Sequence, residues 1–300
     1  MDYDVIIIGS GSAGLPAGMY ASRYKLKNLV IGAQAGGALA TSHQVENWPG
    51  ILSASGKEIM YTFKEHAETS GSEILTDTVT SLEKTAEGFL VKTPSKAFTS
   101  KFVILATGNT YRKLGVPGEE EFLGKGVSYC ATCDGMFFKG RDIAIVGGGN
   151  TALTEALYLA ELGRKVYIIH RKDTFRAETV WIEKAQEREN IEFILNEEVN
   201  HLEGGLFLEK VILKSGKEII ADGFFVAIGS DPSINLVSNM DPNIDDENCL
   251  IVDSRQETSV KGLYAAGDVT TNSNKFKQTI MSAAEGCLAA NSIHEDMLRS

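Results

Sequence analysis

The 300-residue chain has no uninterrupted apolar run near the roughly 20 residues that a membrane-spanning helix needs, which excludes an integral helical membrane protein. Positive charge is scarce, with 29 Lys and Arg against 40 Asp and Glu, a net charge of −11. Nucleic acid and anionic membrane surfaces are therefore poor partners, because their phosphates would be repelled. Cysteine is sparse as well. Four thiols in this length make no disulfide framework, and in a reducing compartment a close pair is redox-active or metal-binding more often than structural. No basic leader or small-residue cleavage site stands before the first apolar residues, so the expected location is cytoplasmic.

Glycine, by contrast, is abundant: 30 of 300 residues, against a usual level of about 7%. No Gly-X-Y period or Ser-rich linker accounts for the excess, which leaves tight turns and close ligand approach. At roughly 150 residues per domain, the length predicts two domains. Asp4-Val5-Ile6-Ile7-Ile8 reads as a strand that stops at glycines, followed by a helical stretch from Ala13 to Tyr24. The same plan recurs at Asp142-Ile143-Ala144-Ile145-Val146, with Gly147-Gly148-Gly149, a helix from Asn150 to Leu162 and a strand from Lys165 to Ile169. Two nucleotide-binding domains of similar plan are predicted, an α/β fold with two Rossmann-like units. Turn formers cluster at Gly115-Val116-Pro117-Gly118 and from Asp241 to Asn248, which are plausible boundaries. If the strand-then-glycine stretches ending at Gly108 and Gly267 both belong to the first domain, the second is inserted within it.

Gly9-Ser10-Gly11-Ser12-Ala13-Gly14 fits G-x-G-x-x-G directly after a strand and before a helix. The first glycine permits the turn, the second lets backbone approach a pyrophosphate, and the third lets helix pack on strand. Twenty residues on, the strand ends at Gly32, so the acidic ribose partner usual in such folds is missing. The second copy is Gly147-Gly148-Gly149-Asn150-Thr151-Ala152. About 20 residues past it, where NAD-binding folds place an acid and NADP-binding folds an Arg, stand His170-Arg171-Lys172-Asp173-Thr174-Phe175-Arg176. Arg171, Lys172 and Arg176 suit a 2′-phosphate, which points to NADPH rather than NADH.

Cys130-Ala131-Thr132-Cys133-Asp134 carries the most chemistry. Thiols at i and i+3 can close a small disulfide that exchanges with another. No metal is expected: a structural zinc needs four ligands, and Cys249 and Cys287 stand alone while the histidines form no H-x-x-x-H pattern. Asp134 can serve as proton donor or acceptor to a departing thiolate, or be a solvated acid beside a turn. NADPH gives two electrons as hydride and a disulfide accepts two, but side chains cannot take hydride, so a flavin is expected between them. His43 and His66 have no partners at metal or triad spacing, Cys249 and Cys287 read as buried small hydrophobes, and residues 180–189 read as a helix with a solvated face.

Over essentially its whole length the sequence resembles the low-molecular-weight thioredoxin reductases. The resemblance rests on the two glycine loops, Gly36-Gly37, Glu46-Asn47-Trp48-Pro49-Gly50, Ala106-Thr107-Gly108, Cys130-Ala131-Thr132-Cys133-Asp134-Gly135, His170-Arg171 and Ala265-Ala266-Gly267-Asp268. It implies a discontinuous FAD domain (1–116 and 245–300), an inserted NADPH domain (117–244) carrying the CxxC, a homodimer, and thioredoxin as the disulfide partner. It also implies flavin contacts at Gly9 to Gly14, Gly32, Gly36, Gly37, Ala38, Asn47, Val79, Ala106 to Gly108, Asp268, Lys277, Gln278 and Thr279. Cys133 would be the thiol nearest the flavin, Cys130 the one that attacks thioredoxin, and Asp134 the acid-base residue.

Several positions depart from the family pattern. Ala38 stands for a Gln, Lys277 for an Arg, Lys172 for the second Arg of the phosphate clamp, and Ser12 for a Pro. Lysine keeps the charge but loses the bidentate fork. The alternative function is a related flavoprotein that exchanges electrons with another dithiol. A ferredoxin-NADP reductase is disfavoured by Cys130 and Cys133, and a non-catalytic flavoprotein by the intact motif set.

Overall fold

In the computed structural model, which describes residues 1–33, 36–42 and 45–299, the first β-branched run forms strand β1 (Tyr3–Ile8). Val5 and Ile7 enter one apolar layer and Ile6 and Ile8 another, all at most 3% exposed. A strand buried on both faces calls for parallel neighbours covered by helices. The chain continues through α1 (Gly14–Arg23), β2 (Asn28–Gly32), α2 (Gly56–Ser70), β3 (Glu73–Thr76), β4 (Ser81–Lys84), β5 (Phe89–Lys92) and β6 (Ala97–Leu105). Ser55 and Glu58 form a reciprocal capping box on α2, and Gly71 ends it in the left-handed region.

The sheet order is β3-β2-β1-β6-β5-β4. Ile8 pairs with Ile31 on one side and Leu105 on the other, so Gly9, Gly32 and Ala106 lie together at one sheet edge. Strand order reverses at β1, and this is where open α/β sheets present a ligand crevice.

β7 (Asn109–Tyr111) leads out of this unit. The second unit runs through β8 (Val127–Ser128), α3 (Ala131–Asp134), β9 (Asp142–Val146), α4 (Asn150–Leu162), β10 (Lys165–His170), α5 (Thr179–Gln186) and β11 (Ile191–Leu195). An antiparallel excursion, β12 (Val199–Gly204), β13 (Leu208–Leu213) and β14 (Glu218–Ile220), precedes β15 (Gly223–Val226). The parallel sheet has the order β11-β10-β9-β15-β8, again reversing at the strand before a glycine loop. β16 (Ser230–Pro232) leads back to the first unit, where β17 (Leu263–Ala265) pairs with β6 and α6 (Thr279–Arg299) packs on α1.

The chain thus divides into Met1–Thr110 with Asp231–Ser300, and Tyr111–Ser230. Both exchange points come earlier than the expected 116/117 and 244/245. Leu114 and Val116 already pack on the second unit's core, and the Leu202 N–H donates to the Pro117 carbonyl at 2.9 Å. Val237 is fully buried in the first unit, and Asn239 donates to the Leu82 carbonyl at 3.1 Å. Turn-forming residues mark bends in the chain, whereas buried side chains decide which core a segment joins. The expected helix over 180–189 is shorter, Thr179–Gln186, because the chain turns at Arg188 and the Asn190 side chain anchors to the Ala160 carbonyl at the entry to β11. His43 lies outside the described residues. Among the described residues no helix is long and apolar enough to cross a membrane.

Candidate functional site

Gly9, at φ +119°, makes the turn after β1; a Cβ there would stand 2.0 Å from the Ala106 carbonyl oxygen, and one at Gly14 would stand 1.7 Å from that of Gly9. These are positions only glycine fills. Gly11 faces Gly37 across 3.7 Å from its would-be Cβ, and the Gly36 N–H donates to the Ser10 carbonyl at 2.9 Å. Ala38 follows in the short 3-10 turn Gly37–Thr41, Ser12 lies in the loop, and Ala13 is buried beneath Gly286 of α6. The missing ribose acid has a steric reason: a Cβ at Gly32 would lie 2.2 Å from Ser10 Oγ and 2.7 Å from its backbone nitrogen.

Residues far apart in sequence converge on this edge. Asn47 donates to the Gln278 side-chain oxygen at 3.1 Å, next to Thr279 at the head of α6. The Thr107 hydroxyl donates to the Ser233 carbonyl at 2.7 Å, while the Ser233 N–H donates to Gly108. Burial raises the Asp268 carboxyl, with the Lys277 charge and the Ser282 hydroxyl at 3.4 Å pulling the other way. Val79 packs, half-buried, on the apolar layer of Ile6 and Ile8. A cradle of glycine backbone that added methyl groups would fill, beside a buried carboxyl, fits a dinucleotide. Sequence reading missed Glu285, 5% exposed, which accepts from the Gly267 N–H at 2.7 Å and from the Ser273 and Thr270 hydroxyls, fixing the turn that bears Asp268. Its one signal is an acid inside the small-residue stretch of α6.

In the second unit a Cβ at Gly147 would stand 2.3 Å from the Ala227 carbonyl and one at Gly148 2.1 Å from the His170 ring, whereas Gly149 meets nothing within 4 Å. Asn150 exchanges two hydrogen bonds with Glu178, at 2.7 and 2.8 Å, and Thr151 is exposed in the first turn of α4. The Arg176 N–H donates to the Gly148 carbonyl at 2.8 Å and folds the basic turn back over the loop. His170 is buried and stacked on Phe175. Burial lowers its pKa, the Thr174 carbonyl opposes that, and Arg171, Arg176 and Lys172 lower it further. Arg171, Lys172 and Arg176 are exposed and their charges all act on His170, whose ring lies against Gly148, a clustering of positive charge beside the glycine loop that fits an anion.

Cys130 and Cys133 are joined as a disulfide. Cys130 caps the four-residue α3, and its carbonyl accepts from the Cys133 and Asp134 N–H groups at 3.2 and 3.1 Å. Cys133 is exposed and Cys130 half-buried. The Ser128 hydroxyl donates to Asp134 Oδ2 at 2.6 Å, and the Cys130 N–H donates to Ser128 Oγ at 3.1 Å. The segment packs closely on α4, since a Cβ at Gly135 would meet Leu159 at 3.0 Å and Tyr158 at 3.1 Å. Burial pushes the Glu155 carboxyl of α4 up to about 7, with the Ala131 N–H pulling the other way. Neither Ser128 nor Glu155 stood out in the sequence. The other thiols are removed from exchange chemistry: Cys249 is fully buried, and burial pushes the Cys287 thiol up to about 11.

Residues 3–286 match the pyridine nucleotide-disulphide oxidoreductase family, and the chain belongs to it. Its structure aligns with that of thioredoxin reductase from Streptococcus pyogenes at a TM-score of 0.94, with 33% identity and 99% of each chain covered. It is 40% identical over 296 residues to thioredoxin reductase of Treponema pallidum, covering 96% of this chain and 95% of that protein. Within the family it falls with the low-molecular-weight thioredoxin reductases. A Pseudomonas fluorescens protein named glucosaminate ammonia-lyase is 41% identical over 300 residues, covering 95% of this chain and 93% of that one.

Proposed function

We propose that the chain reduces the disulfide of thioredoxin with electrons from NADPH, through FAD and the Cys130–Cys133 pair. The observation that carries this reading is the Cys130–Cys133 bond, closed on a turn whose acid is held by Ser128. In this reading the first unit holds FAD, its pyrophosphate against Gly9, Gly11 and Gly14 and its ribityl chain against Asp268. The second holds NADPH, with the pyrophosphate over Gly149 and the 2′-phosphate among Arg171, Lys172 and Arg176. A bound flavin supplies the passage of two electrons between hydride and disulfide that side chains cannot perform.

The two thiols then divide the work. The Cys130 thiolate attacks the disulfide of thioredoxin to form a mixed disulfide, and the Cys133 thiolate displaces reduced thioredoxin as the internal bond re-forms. Asp134 gives a proton to the departing thiolate and recovers it in the next cycle. The family likeness supports a cytoplasmic homodimer.

A second reading, a flavoprotein exchanging electrons with another dithiol, uses the same residues. A relative as similar as the reductases carries a different name, glucosaminate ammonia-lyase, so likeness alone does not single out thioredoxin as the partner. An anaerobic titration decides. NADPH should bleach the flavin absorbance, thioredoxin disulfide should restore it, and Cys130→Ser and Cys133→Ser should bleach without passing electrons on. Recovery with a different disulfide but not with thioredoxin selects the second reading, and a protein that never bleaches refutes both.

A further inference from the structure

The two thiols of the proposed mechanism do different work, yet spacing alone gives them the same chemistry. One side chain of the turn breaks that symmetry. The Thr132 hydroxyl oxygen lies 3.4 Å from Cys130 Sγ. Because Cys130 and Cys133 are joined, neither sulfur carries a proton, so the hydroxyl is the donor and the sulfur the acceptor. The backbone keeps this contact in place. The Cys130 N–H donates to Ser128 Oγ at 3.1 Å, and the Cys130 carbonyl receives the Cys133 and Asp134 N–H groups at 3.2 and 3.1 Å, which folds Thr132 back toward the first sulfur. Nothing in the mechanism above uses Thr132.

We infer that the Thr132 hydroxyl is a catalytic hydrogen-bond donor to Cys130 Sγ, holding that sulfur as thiolate once the pair is reduced and so selecting it over Cys133 as the nucleophile. A thiolate accepts more strongly than a disulfide sulfur, because hydrogen bonds to an ionised group are roughly twice as strong as neutral ones. The contact present in the oxidised turn therefore stabilises the reduced anion further. In the exchange step the Cys130 thiolate bonds to one sulfur of the partner's disulfide, the partner's sulfur–sulfur bond breaks, and the electron pair leaves with its other sulfur as a thiolate.

The elements packed on the turn supply no cation to do this instead. α3 carries Asp134, whose Oδ2 receives the Ser128 hydroxyl, and the turn Gly135–Phe138 has no titratable side chain. α4 carries Glu155, Tyr158 and Glu161, the last paired with Arg188. Ahead of the cysteine, the Tyr129 hydroxyl donates to Glu119 at 2.8 Å. β8, α3 and α4 contain no Lys, Arg or His. Nearby acids disfavour a thiolate, which leaves the hydroxyl dipole to favour it.

The inference rests on the Cys130–Cys133 pair being redox-active, and its test separates that premise from the role of the hydroxyl. The full-length protein is reduced with a small dithiol, freed of it without air, and treated with iodoacetamide from pH 5 to pH 10, with labelling at each cysteine followed by peptide mass. Cys249 is fully buried and burial pushes the Cys287 thiol up to about 11, so the redox pair is labelled first. Thr132→Val removes the hydroxyl at an exposed position and keeps the branched shape, whereas Thr132→Ser keeps the hydroxyl. The pH midpoint of Cys130 labelling should rise by about one unit in Thr132→Val, a tenfold loss of thiolate below both midpoints, and should return in Thr132→Ser. A midpoint unmoved in Thr132→Val, or still raised in Thr132→Ser, overturns the inference. So does a wild-type midpoint lower at Cys133 than at Cys130. Because the reduction is chemical, a midpoint that moves as expected in a protein that passes no electrons from NADPH upholds the hydroxyl's action on Cys130 and overturns the proposed enzyme activity.

Discussion

The Ser128 hydroxyl donates to Asp134 Oδ2 at 2.6 Å while its oxygen receives the Cys130 N–H at 3.1 Å, so one side chain fixes both the acid and the first cysteine of the redox turn. A hydrogen bond to a charged group contributes about 1.5–3 kcal/mol. Ser128→Ala should therefore slow thioredoxin-linked turnover about tenfold or more, with flavin bleaching by NADPH unchanged. Asp134→Asn removes the proton carrier itself and should cost on the order of 10²–10⁴-fold. Rapid-mixing measurements of the two half-reactions check both, and an unchanged thiol half-reaction in Ser128→Ala would show that Asp134 does not depend on this bond.

Gly32 stands where an acid would ordinarily meet a ribose, and the first loop leaves it no room for a side chain. Gly32→Ala would press on Ser10 at both its hydroxyl and its backbone, an overpacking that costs about 1–3 kcal/mol. The expected outcome is a lower melting temperature and less flavin per chain after purification, read from the absorbance spectrum. Gly32→Asp should do worse rather than gain a ribose contact. Improved flavin retention in either variant would refute the steric explanation.

The parts of the site that were legible are those whose meaning is local. A glycine loop between strand and helix declares itself by spacing, and so does a CxxC followed by an acid. What could not be read depends on contacts made across the fold. Asn47 meets Gln278, and Glu285 holds the turn before Thr270. Nothing near these residues in the chain announces the partner. The same holds for the unit boundaries, since Val237 joins the first core only because that core has a place for it.

The basic turn after β10 is tied to the glycine loop through the Arg176 N–H and the Gly148 carbonyl, which sets Arg171, Lys172 and Arg176, all acting on His170, beside that loop. Arg171→Ala removes a charge-assisted contact to a 2′-phosphate and should raise KM for NADPH about 10- to 100-fold, with little change for NADH. Raising the salt concentration should weaken NADPH binding in the wild type more than in the variant. Steady-state kinetics with both nucleotides are sufficient, and an equal loss with NADH would mean that Arg171 serves the fold or the pyrophosphate instead.

α6 is fastened to the first unit by a carboxylate. The buried Tyr264 hydroxyl and the Arg255 guanidinium both donate to Asp296, and Arg255 also reaches the Ser292 carbonyl at 2.9 Å. Burial pushes the Asp296 carboxyl up, but the Tyr264 and Arg255 hydrogen bonds outweigh it and hold the group below its ordinary value. In the unfolded chain, with a pKa near 3.9, it takes up a proton first. The stabilisation is therefore complete above about pH 4 and is lost as pH falls through the lower folded value. Asp296→Asn should cost about 1–3 kcal/mol at pH 7. Melting curves of the two proteins should stay apart by a constant gap from pH 7 down to about 4.5, and the gap should narrow below about 4. A gap that widened on acidification would mean that the folded protein holds this carboxyl in its neutral form.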